Sequence, residues 1–316
     1  MQDVLACPVC RAAGPKRFVR TWKEYRLYDC PNCGIGFCLP FKNPGPEYYA
    51  QFEDLYPHEA QETTDAMTEE YDACLRALGA GGGRRLLDVG CGGGGFLFRA
   101  REQGFRVAGV DFDETRLALV RSELGIEDVH VGSIHTFASA HPDERFDVVT
   151  MFEVLEHLDE PASWLDTARG LLKPGGRLFI GVPNRRRTFD PFQGPGMDQL
   201  DNPPNHLTRW DAHSLRRFVE AQGLAVSMIR PLGVPRPLLA LLLRNRLRFG
   251  IATRALKVDE IQHAPAGGKS QAVKGLVSAK ETMINALSYA LYPPFLAAYH
   301  AMGWQGVVLY CEARRA

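Results

Sequence analysis

LLDVGCGGGGF, residues 86–96, predicts a short apolar strand that runs directly into a glycine-rich turn and then a helix. Gly90, Gly92 and Gly94 have the spacing G-x-G-x-G. Glycine lets the backbone take a positive φ and come close to a ligand, which any Cβ would block. A strand, a glycine loop and a helix in this order hold adenosine-containing cofactors in doubly wound α/β folds.

A second strand that ends in an acid follows this helix. The segment FRVAGVD, residues 105–111, places Asp111 at the carboxyl end of that strand. A carboxylate there accepts hydrogen bonds from the ribose hydroxyls of an adenosine. The alternative is that Asp111 only introduces the next helix, whose first turn would hold Asp113 and Glu114.

These segments and four later ones occur in the order found in class I S-adenosylmethionine-dependent methyltransferases, which the chain resembles over residues 84–232. The later segments are VHVGS (129–133), FDVVTMF (146–152), EVLEHL (153–158) and LLKPGGRLFIGVP (171–183). The resemblance implies a Rossmann-like α/β fold with a doubly wound sheet of seven strands, of which strand seven is antiparallel.

The resemblance also implies S-adenosyl-L-methionine as the cofactor. Asp88 precedes the glycine loop, as does the family's acid near the methionine part of the cofactor. Ser133 stands where many members have an aspartate that faces the adenine, so the chain departs from the pattern there. The positions that match cofactor-binding motifs are Asp88, Gly90, Cys91, Gly92, Gly94, Asp111, Phe112, Ser133, Ile134, Phe152 and Glu153.

Glu156, His157 and His206 are the candidates for the chemistry. Methyl transfer to a hydroxyl needs a base, and an imidazole titrates near neutral pH. His157 follows predicted strand four, and His206 lies in the loop DNPPNHL, residues 201–207, after strand five. Both positions are at the carboxyl edge of the sheet, where such folds bind ligands. The alternative for His206 is that it anchors the loop by hydrogen bonds.

Glu153, Glu156 and His157 form the spacing E-x-x-E-H, which on one helical turn places all three on one face. Such a set can bind a divalent cation. The run is similar to that of ubiquinone-pathway O-methyltransferases, where it is associated with a metal. The alternative, which we favour from sequence, is that these residues begin a helix and form part of the cofactor shell.

Two C-x-x-C pairs near the start of the chain predict a structural Zn²⁺ site. CPVC (7–10) and CPNC (30–33) are separated by 19 residues, so Cys7, Cys10, Cys30 and Cys33 can surround one ion tetrahedrally. Four thiolates leave no open coordination position, so the ion would stabilise a small ribbon and take no part in the reaction. A disulfide interpretation conflicts with a cytosolic chain.

Three regions are predicted: a zinc-ribbon-like module (1–43), a helical linker or lid (44–83) and a methyltransferase domain (84–316). A mainly helical insertion at about 233–305 separates strands six and seven. Between Glu281 and Glu312 it holds no Asp, Glu, Lys or Arg, and Pro293-Pro294 interrupts its most apolar run. It either caps the active site or forms a homodimer interface, or it supplies an apolar acceptor pocket or a peripheral membrane contact for a lipid-like substrate.

Lysines and arginines number 37, as do aspartates and glutamates, so net charge does not favour a nucleic acid as partner. The sequence begins without a secretory signal, so we expect a cytoplasmic protein. Together these features predict methyl transfer to a small-molecule or lipid-like acceptor, by an O-methyltransferase of biosynthetic or secondary metabolism. The alternatives are a zinc-ribbon rRNA or tRNA methyltransferase and a non-catalytic, cofactor-binding interaction protein.

Overall fold

The computed structural model describes residues 3–50, 68–188, 198–233 and 271–316, together with Leu239. The chain forms two compact units, Met1–Gly233 with Gln305–Ala316, and Val234–Trp304. Residues 51–67 of the predicted linker, and residues 234–238 and 240–270 of the predicted insertion, lie outside the described residues. The three region boundaries drawn from the sequence stay predictions.

A small antiparallel sheet of five strands contains both C-x-x-C pairs in its loops. Its strands are β1 (Asp3–Val4), β2 (Pro15–Trp22), β3 (Tyr25–Asp29), β4 (Gly36–Leu39) and β10 (Thr208–Arg209), paired in that order. We call β1–β4 with their loops the ribbon. The fifth strand, β10, comes from the region after predicted strand five, so the ribbon and the predicted methyltransferase region share a sheet.

The larger sheet has seven strands and confirms the predicted Rossmann-like α/β fold. Its order is β11-β12-β9-β8-β5-β6-β7, and β12 is antiparallel to both of its neighbours while the strands from β9 to β7 pair in parallel. The strands are β5 (Arg85–Val89), β6 (Arg106–Asp111), β7 (Val129–Val131), β8 (Phe146–Phe152), β9 (Leu172–Pro183), β11 (Leu224–Pro231) and β12 (Val308–Arg315).

Helices connect these strands, and their ends follow ordinary capping chemistry. Asp113 accepts a hydrogen bond from the Arg116 backbone N–H at the start of one helix, and Gly125 ends that helix in the left-handed region. The helices are α1 (Pro46–Ala50), α2 (Thr68–Leu78), α3 (Gly95–Glu102), α4 (Glu114–Leu124), α5 (Ile134–Ala140), α6 (Pro161–Leu171), α7 (Ala212–Ala221) and α8 (Gln271–Ala301). Two 3-10 turns cover Leu155–His157 and Asp198–Asp201.

The core lies on both faces of the parallel strands. Six of the seven residues of β8 are buried, and Leu86 and Leu87 of β5 are fully buried. Parallel strands covered on both faces are apolar almost throughout, which explains why these segments show no alternation of polar and apolar residues. The buried strands hold the loops at their carboxyl ends in fixed positions.

Helix α8 occupies most of the described part of the second unit. It spans 31 residues and passes through Pro293 and Pro294. Proline keeps a helical φ but lacks an N–H donor, so the helix continues there with fewer backbone hydrogen bonds. None of the described helices combines the length and the apolar character that crossing a membrane requires.

Candidate functional site

A cavity of 660 Å³ lies at the carboxyl ends of the parallel strands. Gly90 follows β5, Asp111 ends β6, Gly132 follows β7 and Glu153 follows β8, and all four line it. This is the edge at which open α/β sheets bind ligands, and the volume suits a small molecule or cofactor. The remaining lining residues are Asn43, Glu47, Tyr49, Val89, Val110, Phe112, Asp113, Glu114, Arg116, Val154, His157, Leu158, Trp164 and Asn205.

Gly90, at the start of the glycine loop, forms part of one wall of this cavity and requires glycine for steric reasons. Gly90 has a φ of +76°, and a Cβ there would lie 2.6 Å from Cγ2 of Val154. Gly92 has a φ of +50° and donates its backbone N–H to Oδ2 of Asp111 at 2.8 Å. Gly90 therefore presents bare backbone to the cavity.

Asp111 and two aromatic rings form a second wall. Oδ1 of Asp111 accepts a hydrogen bond from the Asp113 N–H at 3.0 Å, so backbone donors hold both carboxylate oxygens. Burial raises the pKa of Asp111, although these N–H groups oppose the shift. The side chain of Phe112 is exposed and lies 6.1 Å from the ring of Trp164, centroid to centroid. Aromatic rings suit the flat face of a purine, and the neighbouring carboxylate suits the hydroxyls of its ribose. No motif in the sequence pointed to Trp164.

Several residues predicted to bind the cofactor do not line the cavity. Ser133 caps helix α5, where its Oγ accepts the Thr136 N–H at 3.1 Å, and Ile134 is buried in the core. Phe152 packs against the ring of Phe96 at 5.1 Å. The predicted cofactor-binding residues that are not among the cavity-lining residues are Asp88, Cys91, Gly92, Gly94, Ser133, Ile134 and Phe152.

Asp88 is buried in β5, two residues before Gly90. Its Oδ1 accepts a hydrogen bond from Oγ1 of Thr150 at 2.6 Å. Burial raises the pKa of Asp88 to about 7, although this hydrogen bond opposes the shift. The folded protein therefore retains a proton on Asp88 at pH values where the unfolded chain has lost it.

We expect Asp88→Asn to gain stability relative to the native chain as the pH rises. Between the unfolded pKa, 3.8, and the folded pKa, about 7, only the folded state holds this proton, so native stability falls as pH rises. Asparagine does not titrate, so the difference in unfolding free energy should grow by about 2–3 kcal/mol from pH 5 to pH 8.

Chemical denaturation at the two pH values measures this difference. Asp147→Asn is the control: burial alone would raise the pKa of Asp147, but hydrogen bonds from Lys173 and the Arg85 N–H lower it below its usual value. Its titration therefore lies below pH 5, and its stability difference should stay constant over the same range. An equal change of the stability difference with pH in the two variants would contradict the raised pKa of Asp88.

Glu156, His157 and His206, the predicted catalytic residues, lie together beside the cavity. Their donor atoms lie within 4.8 Å of one another. Nε2 of His157 is 3.8 Å from Oε1 of Glu156, and the two imidazole rings are 4.8 Å apart, centroid to centroid. His157 lines the cavity, whereas His206 is buried behind it.

Hydrogen bonds fix the tautomers of both imidazoles. Nδ1 of His157 lies 2.8 Å from the carbonyl oxygen of Asn205, which can only accept, so Nδ1 carries the proton. Nδ1 of His206 lies 3.2 Å from Oδ1 of Asp201. Burial, and then the neighbouring His206 ring, lower the pKa of His157 to about 3, and burial also lowers the pKa of His206. Both rings are therefore neutral at pH 7, and Nε2 of His157 is available as an acceptor.

The expectation that Glu153 shares a helical face with Glu156 and His157 is wrong. Glu153 has a φ of +55°, and the 3-10 turn begins only at Leu155. The Glu153 N–H donates to the Gly181 carbonyl at 2.9 Å, which extends the strand pairing past β8 and prevents an earlier helix start. The cluster that could hold a cation contains His206 in place of Glu153.

Carboxylate oxygens without hydrogen-bond partners lie within this cluster and beside it. In the described part of the chain, both carboxylate oxygens of Glu156 and one oxygen of Glu153 have no hydrogen-bond partner. Burial, and then the nearby charge of Glu153, raise the pKa of Glu156 well above its usual value, and burial raises that of Glu153 to about 7. Buried polar atoms without partners are rare in proteins and often mark a bound ion, ligand or proton.

Three consecutive arginines, Arg185, Arg186 and Arg187, follow β9, and each pairs with an acidic side chain. Arg187 donates to Oδ2 of Asp201 at 2.6 Å, and Arg185 donates to Oδ1 of Asp29 in the ribbon at 2.9 Å. Arg186 is the exposed member, with 74% of its side chain accessible, and it pairs with Asp211. Two of the three guanidinium groups therefore hold loops together at this edge.

The four predicted zinc ligands form one cluster. Sγ of Cys7 is 3.9 Å from Sγ of Cys33, and Sγ of Cys10 is 3.8 Å from Sγ of Cys30. Tetrahedral zinc with Zn–S bonds of about 2.3 Å requires sulfurs about 3.8 Å apart, so the spacing fits this ion. The Cys10 N–H donates to Sγ of Cys7 at 3.5 Å, and the side-chain amide of Asn32 donates to Sγ of Cys10 at 3.4 Å. Donors of this kind commonly surround metal-bound thiolates.

Comparisons with known proteins agree with this geometry. The family described as "Methyltransferase domain" matches residues 58–227, more than half of the chain. The ubiquinone biosynthesis O-methyltransferase of Azoarcus sp. (strain BH72) is 33% identical over 147 residues, 45% of this chain and 61% of the relative. That of Thiobacillus denitrificans (strain ATCC 25259 / T1) is 41% identical over 107 residues, 33% of this chain and 46% of the relative.

These alignments span less than two thirds of the length of the curated relatives. Among solved structures, a SAM dependent methyltransferase from Archaeoglobus fulgidus matches with a TM-score of 0.48 and 19% identity, over 85% of this chain and 100% of that one. From the family match, together with the ordered motifs and the strand order, the chain belongs to the methyltransferase domain family, in the class I S-adenosylmethionine-dependent group that its sequence resembles.

Proposed function

We propose that this protein transfers a methyl group from S-adenosylmethionine to a hydroxyl of a small-molecule or lipid-like acceptor. The observation that carries the proposal is that His157, a neutral imidazole with a free Nε2, lines the same cavity as Gly90 and Asp111. The names of the curated relatives support oxygen as the acceptor atom and biosynthetic metabolism as the setting.

The charge of the cavity supports a cationic cofactor. Arg116 is the one arginine or lysine among its described lining residues. Acidic side chains outnumber it, namely Glu47, Asp111, Asp113, Glu114 and Glu153. S-adenosylmethionine carries a sulfonium and an ammonium group, which such a cavity attracts. When bound, it supplies an electrophilic methyl group whose transfer mainly needs positioning and exclusion of water.

The residues around the acceptor would do three things. His157 would accept the hydroxyl proton on Nε2, because its Nδ1 is held by the Asn205 carbonyl. Val154, Leu158 and Trp164 line the cavity and would exclude water from the reacting atoms. His206 does not line the cavity, so its role would be to support His157 through the ring contact.

A divalent cation is the second candidate role for this cluster. Glu156, His157 and His206 offer a carboxylate and two imidazoles whose ligand atoms lie within 4.8 Å of one another, and the unpartnered oxygens of Glu156 favour this role. A cation there would lower the pKa of a bound hydroxyl, so the acceptor would lose its proton more readily. In that case transfer should fall when a mild chelator removes this ion and leaves the cysteine-bound zinc in place, whereas general-base catalysis by His157 alone should survive that treatment.

We also propose that the cysteine cluster binds structural zinc. Purified protein should contain about one tightly held zinc per chain, and Cys10→Ser should lose it. Cys311→Ala is the control, because Cys311 is buried in β12 and lies outside the cluster. Elemental analysis after dialysis measures the content. Zinc retained by Cys10→Ser, or absent from the native chain, would contradict the assignment.

The proposed function is tested by incubating the protein with a cell extract and isotope-labelled S-adenosylmethionine, followed by mass spectrometry. We expect label in a small hydroxylated or lipid-like molecule, and no label with Gly90→Ala. Label in RNA would identify the alternative RNA methyltransferase. Binding of the cofactor without transfer to any fraction would identify a non-catalytic protein.

A further inference from the structure

The ribbon contributes more than a separate metal module, because its edge strand binds the loop that contains His206. Strand β4 pairs with β10 through Phe37 with Thr208 and Gly36 with Arg209. The Cys38 N–H also donates to the Leu207 carbonyl at 3.1 Å. We call residues 205–209 the bridging segment, since they join the ribbon to the candidate catalytic cluster.

The bridging segment holds the catalytic cluster through main-chain hydrogen bonds. Its Asn205 carbonyl accepts the Nδ1 proton of His157 at 2.8 Å, and its Leu207 N–H donates to the Glu156 carbonyl at 2.7 Å. The first bond selects the tautomer of His157 that leaves Nε2 free, and the second fixes the backbone beside it. A shift of the bridging segment would therefore change both the tautomer and the position of the base.

The chain that leaves the ribbon makes a second contact with the same histidine. Nδ2 of Asn43 donates to the His157 carbonyl at 2.7 Å, and the Asn43 N–H donates to Oδ2 of Asp159 at 3.2 Å. Asn43 lies four residues after β4 ends at Leu39. The strand that holds the bridging segment therefore also sets the position of Asn43.

The cysteine cluster is continuous with this strand. The Gly34 N–H donates to the Cys30 carbonyl at 2.8 Å, and the Cys30 N–H donates to the Ile35 carbonyl at 2.9 Å, so the second C-x-x-C loop leads directly into β4. Arg185 ties this loop to the end of β9, with Nη1 donating to the Gly34 carbonyl at 3.1 Å. Leu27, Cys38 and Leu207 form a small buried apolar cluster between the ribbon and the bridging segment.

We propose that the ribbon is the positioning element of His157, acting through the bridging segment and Asn43. The glycine loop and Asp111 are instead held by β5 and β6, so cofactor binding should not depend on the ribbon in this way. A bound structural ion contributes folding free energy to a small module, so loss of the ion should loosen β4 and release the bridging segment. The expected effect on kcat rests on the proposed function, whereas the expected effect on the position and tautomer of His157 does not.

The first experiment compares two adjacent arginines. Arg185→Ala removes the hydrogen bonds to Gly34 and Asp29, whereas Arg186→Ala removes a largely exposed side chain. We expect Arg185→Ala to lower kcat by about 10- to 100-fold, because small displacements of catalytic groups have effects of this size, with unchanged affinity for S-adenosylmethionine. Arg186→Ala should keep both values. Equal effects in the two variants, or a parallel loss of cofactor affinity in Arg185→Ala, would overturn the proposal.

The second experiment removes the metal and uses readouts that need no acceptor. Cys10→Ser, compared with Cys311→Ala, should speed hydrogen exchange at the Leu207 and Cys38 amides by about tenfold or more. In two-dimensional ¹H–¹⁵N NMR spectra of the imidazoles, His157 should lose its single Nδ1–H tautomer. Cofactor affinity should remain native in both variants. Unchanged exchange and an unchanged tautomer in a metal-free protein would overturn the proposal, even if no methyl acceptor is ever found.

Discussion

Gly90→Ala should lower the affinity for S-adenosylmethionine by about 10- to 100-fold. A Cβ at this position would lie 2.6 Å from Cγ2 of Val154, and the backbone φ of +76° disfavours any side chain. Strain of this kind costs about 1–3 kcal/mol, and relief of the steric clash must move either the loop or Val154, both of which line the cavity. Calorimetric titration with S-adenosylmethionine measures the loss.

Gly82→Ala is the matched control for this variant. Gly82 also has a positive φ, +56°, but a Cβ there would meet no atom within 4 Å, so it carries backbone strain without a steric clash. It should bind the cofactor with native affinity. Val154→Ala in the Gly90→Ala background should recover part of the loss. Native binding by Gly90→Ala would show that the cofactor lies elsewhere.

His157→Ala should lower kcat by about 100- to 10,000-fold, the range for removal of a general base. Its affinity for S-adenosylmethionine should change little, because the cofactor would be held by the walls formed by Gly90 and Asp111. His206→Ala should have the smaller effect of the two, since His206 contacts His157 but does not line the cavity. Initial rates at saturating cofactor, with binding measured separately, distinguish these effects.

His130→Ala is the control for a general effect of losing a histidine. His130 packs against Phe137 and His141 and does not line the cavity. It should retain native kcat and native cofactor affinity. A larger loss in His206→Ala than in His157→Ala would reverse the assignment of the base, and a native rate in His157→Ala would exclude the base role altogether.

The fold and the cofactor side of the cavity could be predicted because their signals are local. The glycine loop, Asp111 and Phe112 each lie within a few residues of the strand that positions them. One contiguous stretch of sequence therefore contains both the functional residue and the strand that holds it. The alternation of strands and helices then determines the sheet, because parallel strands with right-handed connections leave few other arrangements.

For the candidate catalytic cluster, the sequence identified the residues but not the contacts that orient them. Asn205 and Asn43 orient His157 from 48 and 114 residues away, and no short motif encodes contacts of that separation. The pairing of β10 with the ribbon is equally long-range. Trp164 reaches the cavity from a helix with no motif around it.

One local expectation is wrong, and a second predicted site residue has a structural role of its own, both for reasons visible in the backbone. Glu153 was expected on a helical turn, but its N–H continues the pairing of β8 with β9 and gives it a positive φ. Ser133 matches an adenine-binding position in the motif, yet its hydroxyl is used to cap α5 together with Thr136. In both cases the backbone hydrogen bonds at a strand end decided the conformation, and residue type alone does not specify them.

The most direct test of the account is the ¹³C NMR spectrum of the product formed from S-adenosylmethionine labelled with ¹³C in its methyl group. We expect a labelled methoxy carbon in a small-molecule or lipid-like product made by the native chain, and a signal at least about 100-fold weaker from His157→Ala over the same incubation. A labelled carbon bonded to nitrogen or carbon, or a methoxy signal of equal intensity from His157→Ala, would contradict it.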